Sequence, residues 1–217
     1  MTQAEKHALL ALPAILLIAL GLVLAGSQAG ITVAGIPLFA LGVIAAFVIQ
    51  WIAFIPAYGK RTEKFFDLTG SITYLSVSWA TVLLRPEADL RAYVLLALVT
   101  IWALRLGTFL FRRIQQAGSD ERFDEIKQSF ARFLMTWTLQ GLWVSFTLAA
   151  ALAAITSTRQ VPFGLFAIIG LAVWLVLWVL ISAGLEQVRQ LQTEPLPSQP
   201  MSETAPAEIA TQAEKED

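Results

Sequence analysis

The sequence of 217 residues has no cysteine, and its single histidine is His7, near the start of the chain. The missing cysteine excludes disulfides, thiolate nucleophiles and cysteine-bound metal or iron–sulfur centres. With one histidine, the apolar segments hold no histidine metal cluster, haem ligand or histidine acid–base group. Glycine-rich dinucleotide and phosphate-loop motifs and the HExxH zinc motif are also absent. We therefore predict no metal site.

Charged residues are also scarce, at 14% of the chain against 57% hydrophobic residues, and the mean hydropathy is +0.67. Soluble domains typically have about 25% charged and under about 50% apolar residues. No charge occurs between Ala8 and Gly59. The composition excludes a soluble globular enzyme, a coiled coil and a nucleic-acid-binding protein. It predicts an all-α, polytopic transmembrane helical bundle whose first partner is membrane lipid.

Six segments approach the roughly 20 apolar residues that a helix needs to cross a hydrocarbon core of about 30 Å. We predict spans at about 8–26, 33–56, 67–84, 92–111, 133–155 and 162–185, of which the third is the shortest and most polar. The turn residues 26–30 join the first two spans as a helical hairpin. A cleaved secretory signal over residues 1–29 is the alternative, because Lys6 precedes an apolar run that ends in small residues.

The lysines and arginines are divided unevenly between alternate loops. With six spans, the side that holds both termini carries the basic loops at residues 59–66 and 112–132, whereas the opposite side carries Arg85, Arg91 and Arg159. Positively charged short loops stay in the cytoplasm. We therefore expect an integral membrane protein with both termini cytoplasmic.

Two further segments lie outside the spans. Residues 119–122 are typical of a capped helix start, and apolar side chains then recur every three or four positions, so we predict an interfacial amphipathic helix over about 119–131. Beyond the last span the composition shifts to Glu, Pro, Ser, Thr and Gln without aromatic residues. This predicts a disordered acidic tail over 193–217 after a helical domain over 1–192.

The third span carries a polar stripe, and polar side chains inside a bilayer are costly enough to be candidate functional positions. The stripe consists of Asp67, Ser71, Tyr74, Ser78 and Thr81. Either it lines a cavity in which the Tyr74 hydroxyl bonds or protonates a ligand oxygen, or its hydroxyls pack helices together.

The fourth span ends near Arg112. Arg105 precedes Arg112 by seven residues, so it lies about 10 Å inside the span by helical rise. A charge at that depth needs a partner, and Asp67 is expected to supply it in an ion pair. The pair would staple two helices or position a phosphate or carboxylate. Tyr74, Asp67 and Arg105 are therefore the candidate catalytic residues.

The fifth span presents Trp137, Gln140 and Trp143 along one face. An amide near the middle of the membrane needs hydrogen-bond partners. We predict that these three residues contact a substrate together with Tyr74 and Ser78. The alternative is that the aromatic residues serve only in packing or as interface anchors.

Several short sequence motifs, in a fixed order along the chain, resemble those of a known family. They are FDLTGSITY at 66–74, VTIWALRLG at 99–107, RRI at 112–114, DERFD at 120–124, and RF at 132–133 followed by WxxQGxWV at 137–144. Together they closely resemble the uncharacterised-function branch of the steroid 5-alpha-reductase superfamily over about residues 60–190. The resemblance implies a helical bundle related to NADPH-dependent reductases of carbon–carbon double bonds in lipids or sterols.

The sequence departs from that family after the sixth span. The family's cofactor-binding half carries an Arg-His-Pro-Asn-Tyr type motif there, whereas this chain has no histidine after His7, and Gln190 stands where an Asp is usual. The resemblance therefore implies a shortened member without the C-terminal cofactor-binding half. Such a protein would bind a lipid or other apolar ligand without independent NADPH-dependent activity, alone, as an oligomer or beside a partner subunit.

Two other functions stay open. A working NAD(P)H-dependent reductase would hold the cofactor phosphates with Arg112, Arg113 and Arg122, although anionic lipid headgroups explain these charges equally well. A small-molecule transporter is the third interpretation. The sequence shows neither a mid-membrane acid nor inverted repeats with broken helices, which transporters often have.

Overall fold

The computed structural model describes residues 2–159 and 161–193. Its elements, in chain order, are α1 (Gln3–Gly26), β1 (Thr32–Val33), β2 (Ile36–Pro37), α2 (Leu38–Gly59), α3 (Phe66–Leu83), α4 (Leu90–Ala117), α5 (Phe130–Thr156) and α6 (Leu165–Thr193). Within the described residues, β1 and β2 form the only sheet, a short antiparallel ribbon. The predicted all-α bundle is therefore confirmed. The chain divides into two compact units, before and after residue 164.

Five of the described helices are long and apolar enough to cross a membrane: α1, α2, α4, α5 and residues Leu165–Gly184 of α6. Helix α3, the predicted third span, is not among them. Its 18 residues extend about 27 Å, but its polar stripe lowers its hydropathy. Thr69, Thr73 and Thr81 each donate to the carbonyl four residues earlier. These three hydroxyls are thus satisfied within α3 and its N-cap residue.

Helix α5 is central to the first unit, where it packs against α1, α2, α3 and α4. Large apolar side chains fill the interior between these helices, among them Phe39, Phe47, Val77, Leu148 and Leu152. Small residues allow the close approaches that membrane helices favour. A Cβ added at Gly141 would lie 3.1 Å from the Phe47 ring.

The loops of this unit lie at two opposite ends. Ser129 donates to Glu5 over 3.0 Å, which places the start of α1 beside the loop before α5. We call this the charged end, formed by residues 59–66 and 117–130. The Ile31 N–H donates to the Thr156 carbonyl over 2.8 Å. We call this second end, formed by residues 27–37, 84–89 and 154–159, the capped end.

The connection between α1 and α2 is longer than a simple helical hairpin. The β1–β2 ribbon occupies residues that were predicted to begin the second span, so α2 starts at Leu38 rather than near residue 33. Ala29 and Ala34 adopt positive φ values of 55° and 51° there. The ribbon satisfies backbone groups that the turn would otherwise leave unpaired.

Two 3-10 turns, Glu121–Phe123 and Ile126–Gln128, stand in place of the amphipathic helix predicted over 119–131. Asp120 does cap the first turn by accepting from the Arg122 N–H. However, Arg61 donates to the carbonyls of Lys127 and Gln128. Contacts with distant residues therefore replace the regular helical hydrogen bonds in this segment.

Helix α6 forms the described part of the second unit. It extends beyond the span predicted over 162–185, and its apolar side chains are exposed, Phe166 to 89%. Trp174 and Trp178 stack with ring centroids 5.1 Å apart. The tail predicted over 193–217 lies outside the described residues, apart from Thr193.

Candidate functional site

A groove of about 450 Å³ lies between α3 and α4. Its lining residues are Leu68, Ser71, Ile72 and Leu75 from α3, and Ala103, Leu104, Gly107, Thr108, Phe111 and Arg112 from α4. The volume falls in the range of about 300–1,000 Å³ that small-molecule sites occupy. Ile72 and Leu104 are about half exposed, at 46% and 54%. One side of the groove is therefore open on the outer surface of the helices.

The floor of the groove is a close contact between α3 and α4 at Ser71 and Gly107. A Cβ added at Gly107 would lie 2.8 Å from both Cβ and Oγ of Ser71. The Thr108 hydroxyl donates to the Leu104 carbonyl over 2.7 Å. Because this hydroxyl bonds within its own helix, the wall offers a ligand mainly apolar surface.

One end of the groove is positively charged. Arg112 is exposed there, and within the described residues it makes no hydrogen bond or ion pair. Arg113, the next residue, lies 3.2 Å from Asp67 and 3.9 Å from Asp120. Arg122 also pairs with Asp120. Of the three arginines predicted to hold a cofactor, Arg112 alone lines the groove, and it alone has no ion-pair partner among the residues that the structure describes.

Arg122 and Asp120 form an ion pair in which both groups stay charged and each charge compensates the other. The hydrogen bond from Arg122 holds the pKa of the Asp120 carboxyl below its ordinary value, and the same bond raises the pKa of Arg122. A dinucleotide phosphate on Arg113 or Arg122 would lie against the carboxylates of Asp67 and Asp120. A phosphate of NADPH would therefore compete with these carboxylates for Arg113 and Arg122, and cofactor binding by the three arginines stays a prediction.

A buried carboxylate, Glu63, fastens the loops of the charged end. It accepts from the Asp120 N–H over 3.1 Å and from the Lys127 ammonium over 3.0 Å. Lys127 also pairs with Asp124 at 2.8 Å. Burial acts to raise the pKa of Glu63, but the hydrogen bonds from Asp120 and Lys127 outweigh it and hold the pKa below its ordinary value. Sequence reasoning missed this residue.

The ion pair that the structure gives Asp67 is with Arg113 rather than the expected Arg105. Asp67 lies in the first turn of α3, level with the last turns of α4. Arg105 lies eight residues before Arg113, about 12 Å along the helix, and is half-buried. The pair therefore sits at the charged end, where Asp67 and Arg113 are both partly exposed.

Tyr74 and Ser78 are buried inside the bundle. The Tyr74 hydroxyl lies 2.6 Å from Oγ1 of Thr147 on α5, and its ring meets Trp102 edge-on with centroids 4.8 Å apart. The Ser78 hydroxyl has no hydrogen-bond partner among the described residues. Neither residue lines the groove, and their contact with a substrate stays a prediction.

The three candidates on α5 are separated by the fold. Trp137 is fully buried and meets the Phe66 ring edge-on at 5.1 Å, while Gln140 donates to the Phe66 carbonyl over 3.1 Å. Trp143 is 67% exposed on the outer surface. The first two thus lie together beneath the charged end, and Trp143 points away from them. Substrate contact stays a prediction for all three.

Sequence reasoning also missed Gln50, which is 0% exposed in α2. Its Nε2 donates to Thr73 Oγ1 over 2.9 Å, whereas its Oε1 has no hydrogen-bond partner in the part of the chain that the structure describes. The available signal was a single amide inside the charge-free second span. Among the described residues, no group of three or more acidic or histidine side chains could hold a metal ion.

The helices and the groove define a polytopic helical membrane protein with a lateral apolar site. Residues 53–203 match the family described as "Protein of unknown function (DUF1295)". Since the match covers more than half of the chain, the protein belongs to this family, and both walls of the groove lie inside the matched range. No curated protein and no solved structure matches the chain.

Proposed function

We propose that the protein binds a lipid or another apolar ligand in the α3–α4 groove, without NADPH-dependent activity of its own. The observation that carries this proposal is the groove itself. It has apolar walls, an open side on the membrane-facing surface and a volume of about 450 Å³. Such a site suits a ligand that enters sideways from the bilayer.

The family match agrees with the resemblance to steroid 5-alpha-reductase-like proteins, whose substrates are apolar. A reductase also needs a bound and oriented hydride donor. Arg113 and Arg122 are engaged by Asp67 and Asp120, which supports ligand binding rather than independent reduction. A partner subunit or second copy that supplies the nucleotide site belongs to the same proposal.

The proposed orientation places the charged end in the cytoplasm, together with both termini. Arg61, Lys64 and the arginines of the loop before α5 lie at this end, as the positive-inside rule requires. This assignment requires α3 to cross the membrane with its polar stripe turned towards α2, α4 and α5. If reporter fusions to the two termini show that the termini lie on opposite sides of the membrane, the assignment is contradicted.

Photocrosslinking tests the proposed site directly. The purified protein is placed in vesicles of phosphatidylcholine in which some lipid carries a diazirine in the acyl chain, and labelled peptides are identified by mass spectrometry. We expect peptides of α3 and α4 that line the groove to be labelled several-fold more than the α1 peptide around Leu17, which is 66% exposed. An acyl chain should stay in a groove for a longer time than on an open helix surface, and it should therefore label the groove more.

A matched pair of variants locates the labelling. Thr108→Phe fills the groove from an exposed position, and Ile101→Phe adds the same ring to α4 outside it. Thr108→Phe is expected to lower groove labelling to the α1 level, and Ile101→Phe to leave it unchanged. Equal labelling of groove and α1 peptides in the unchanged protein would overturn the proposal.

A separate assay addresses the reductase alternative. The protein in vesicles is given NADPH and a lipid enone, and NADPH absorbance and binding are followed. We expect neither binding at micromolar concentration nor enone-dependent oxidation. Oxidation that is lost in Arg113→Gln would instead establish the reductase.

A further inference from the structure

We infer that the ligand of the groove is an anionic phospholipid of the surrounding bilayer, with one acyl chain along the wall and its phosphate on Arg112. The inference rests on the proposed function and adds the charge and the class of the ligand. The juxtaposition that carries it is a long apolar wall ending at Arg112, whose exposed guanidinium has no ion-pair partner in residues 2–159 and 161–193.

The wall has the shape of a chain-binding surface. On α4 the lining runs from Ala103 to Phe111, about 12 Å along the helix axis. Leu68, Ile72 and Leu75 follow the same direction on α3. A single extended hydrocarbon chain matches this narrow strip.

The hydroxyl groups along the wall are already committed to their own helices. Thr108 donates to the Leu104 carbonyl over 2.7 Å, and Ser71 lies 3.4 Å from the Asp67 carbonyl. Neither needs a hydrogen bond from a ligand. Polar recognition along the groove is therefore confined to its Arg112 end, which favours a molecule with a plain hydrocarbon body and a polar head.

The charge at that end selects a singly charged anion. Arg112 is exposed and, among the described residues, has no ion-pair partner, whereas Arg113 is shared between Asp67 and Asp120. Guanidinium groups bind phosphate oxygens in a bidentate way. Arg112 has no ion-pair partner among the described residues, so it offers one positive charge, which one negative charge balances. A phosphodiester with one negative charge satisfies both conditions.

The position of Arg112 indicates that the ligand of the groove comes from the bilayer. It follows the last apolar lining residue of α4, at the level where an arginine side chain reaches the headgroups. The groove is open along its side, so a lipid of the adjacent leaflet reaches it without leaving the membrane. The phosphate of that lipid then lies at the height of the guanidinium.

The test compares two photoreactive lipids with the same diazirine acyl chain, phosphatidylglycerol and phosphatidylcholine, in phosphatidylcholine vesicles. Groove labelling is measured relative to the α1 peptide in the unchanged protein, in Arg112→Gln and in Lys64→Gln. Lys64 is an exposed cation at the same end that does not line the groove. We expect an excess of phosphatidylglycerol of about fivefold, the effect of one surface arginine on anionic lipid. Arg112→Gln should remove this excess and Lys64→Gln should retain it.

The outcomes separate this inference from the proposed function. Equal labelling by both lipids, with Thr108→Phe still blocking it, overturns the anionic ligand and retains the apolar groove. Absence of groove labelling with either lipid overturns both. A photoreactive fatty acid that labels the groove more strongly than phosphatidylglycerol, and loses that advantage in Arg112→Gln, overturns the phospholipid in favour of a free carboxylate.

Discussion

The two ends of the bundle use arginine in different ways. At the capped end, Arg85 donates to the carbonyls of Glu87 and Ile155, and Arg91 donates to those of Ala154 and Arg159. The bonds to Ala154 and Ile155 satisfy orphan carbonyls in the last turn of α5, where the helix dipole also favours a positive charge. Here arginine completes the fold.

At the charged end, Arg113 and Arg122 pair with carboxylates. The kind of acceptor does not separate the two ends, because Arg61 donates to carbonyls at the charged end, and Arg85 and Arg91 also pair with Asp89 at the capped end. Arg113 and Arg122 share Asp120, and Arg112 stays exposed at the groove. Arg85 is only 6% exposed. The difference teaches that residue type alone does not separate a structural cation from a ligand-binding one. Burial does, together with whether the guanidinium has a partner among the described residues.

Arg85 is where the comparison predicts the largest effect. Arg85→Gln should lower the free energy of unfolding by about 3 kcal/mol, because it removes a buried charged donor and leaves the carbonyl of Ile155 poorly satisfied. Unfolding in mixed detergent, followed by circular dichroism, measures the change. Arg112→Gln should stay within about 0.5 kcal/mol of the unchanged protein. Equal losses of unfolding free energy in Arg85→Gln and Arg112→Gln would contradict the structural difference between the two arginines.

The second largest effect is expected between the ends, at the floor of the groove. Gly107→Ala should cost about 2 kcal/mol, because the added Cβ would lie 2.8 Å from Ser71 and overpack the α3–α4 contact. Gly21→Ala is the matched control, since a Cβ there meets nothing within 4 Å. It should be neutral or slightly stabilising, because alanine favours helix. A Gly107→Ala loss no greater than that of Gly21→Ala would show that the helices separate easily.

Acid should act on the charged end first. The pKa values of Glu63 and Asp120 are held below their ordinary values. Their contribution is therefore complete above the unfolded pKa of about 4 and is lost as pH falls through the lower folded pKa. Hydrogen exchange should show residues 118–129 opening in this range while the end of α5 stays protected.

A variant sharpens the acid prediction. Glu63→Gln should open residues 118–129 already at pH 7, at a cost of about 1–2 kcal/mol, because it weakens the charged hydrogen bond to Lys127. In this variant, the hydrogen exchange of residues 118–129 should also increase less on acidification than it does in the unchanged protein. Opening at the capped end in the same pH range would mean that the two ends are not independent.

The sequence was a good guide to the helices and a poor one to the contacts between their ends. Long apolar runs predicted each helix, and the polar stripe of α3 was visible as hydroxyls three or four residues apart. Glu63 and Lys127 were not predictable as a pair because they are 64 residues apart in the chain. The loop before α5 shows the same limit: its local pattern indicates a helix, but Arg61 and Glu63 take its backbone groups.

The smallest effect is expected inside the bundle, at Gln50. Its Oε1 already lacks a partner among the described residues. Thr73, which accepts from the Gln50 Nε2, would still donate to the Thr69 carbonyl in a variant without that amide. Gln50→Met keeps the volume and removes the unpaired carbonyl, so the free energy of unfolding should rise slightly or stay within about 0.5 kcal/mol. The detergent unfolding assay measures it beside Arg85→Gln. A loss above about 1 kcal/mol would contradict this and indicate that the Gln50 carbonyl binds a buried water.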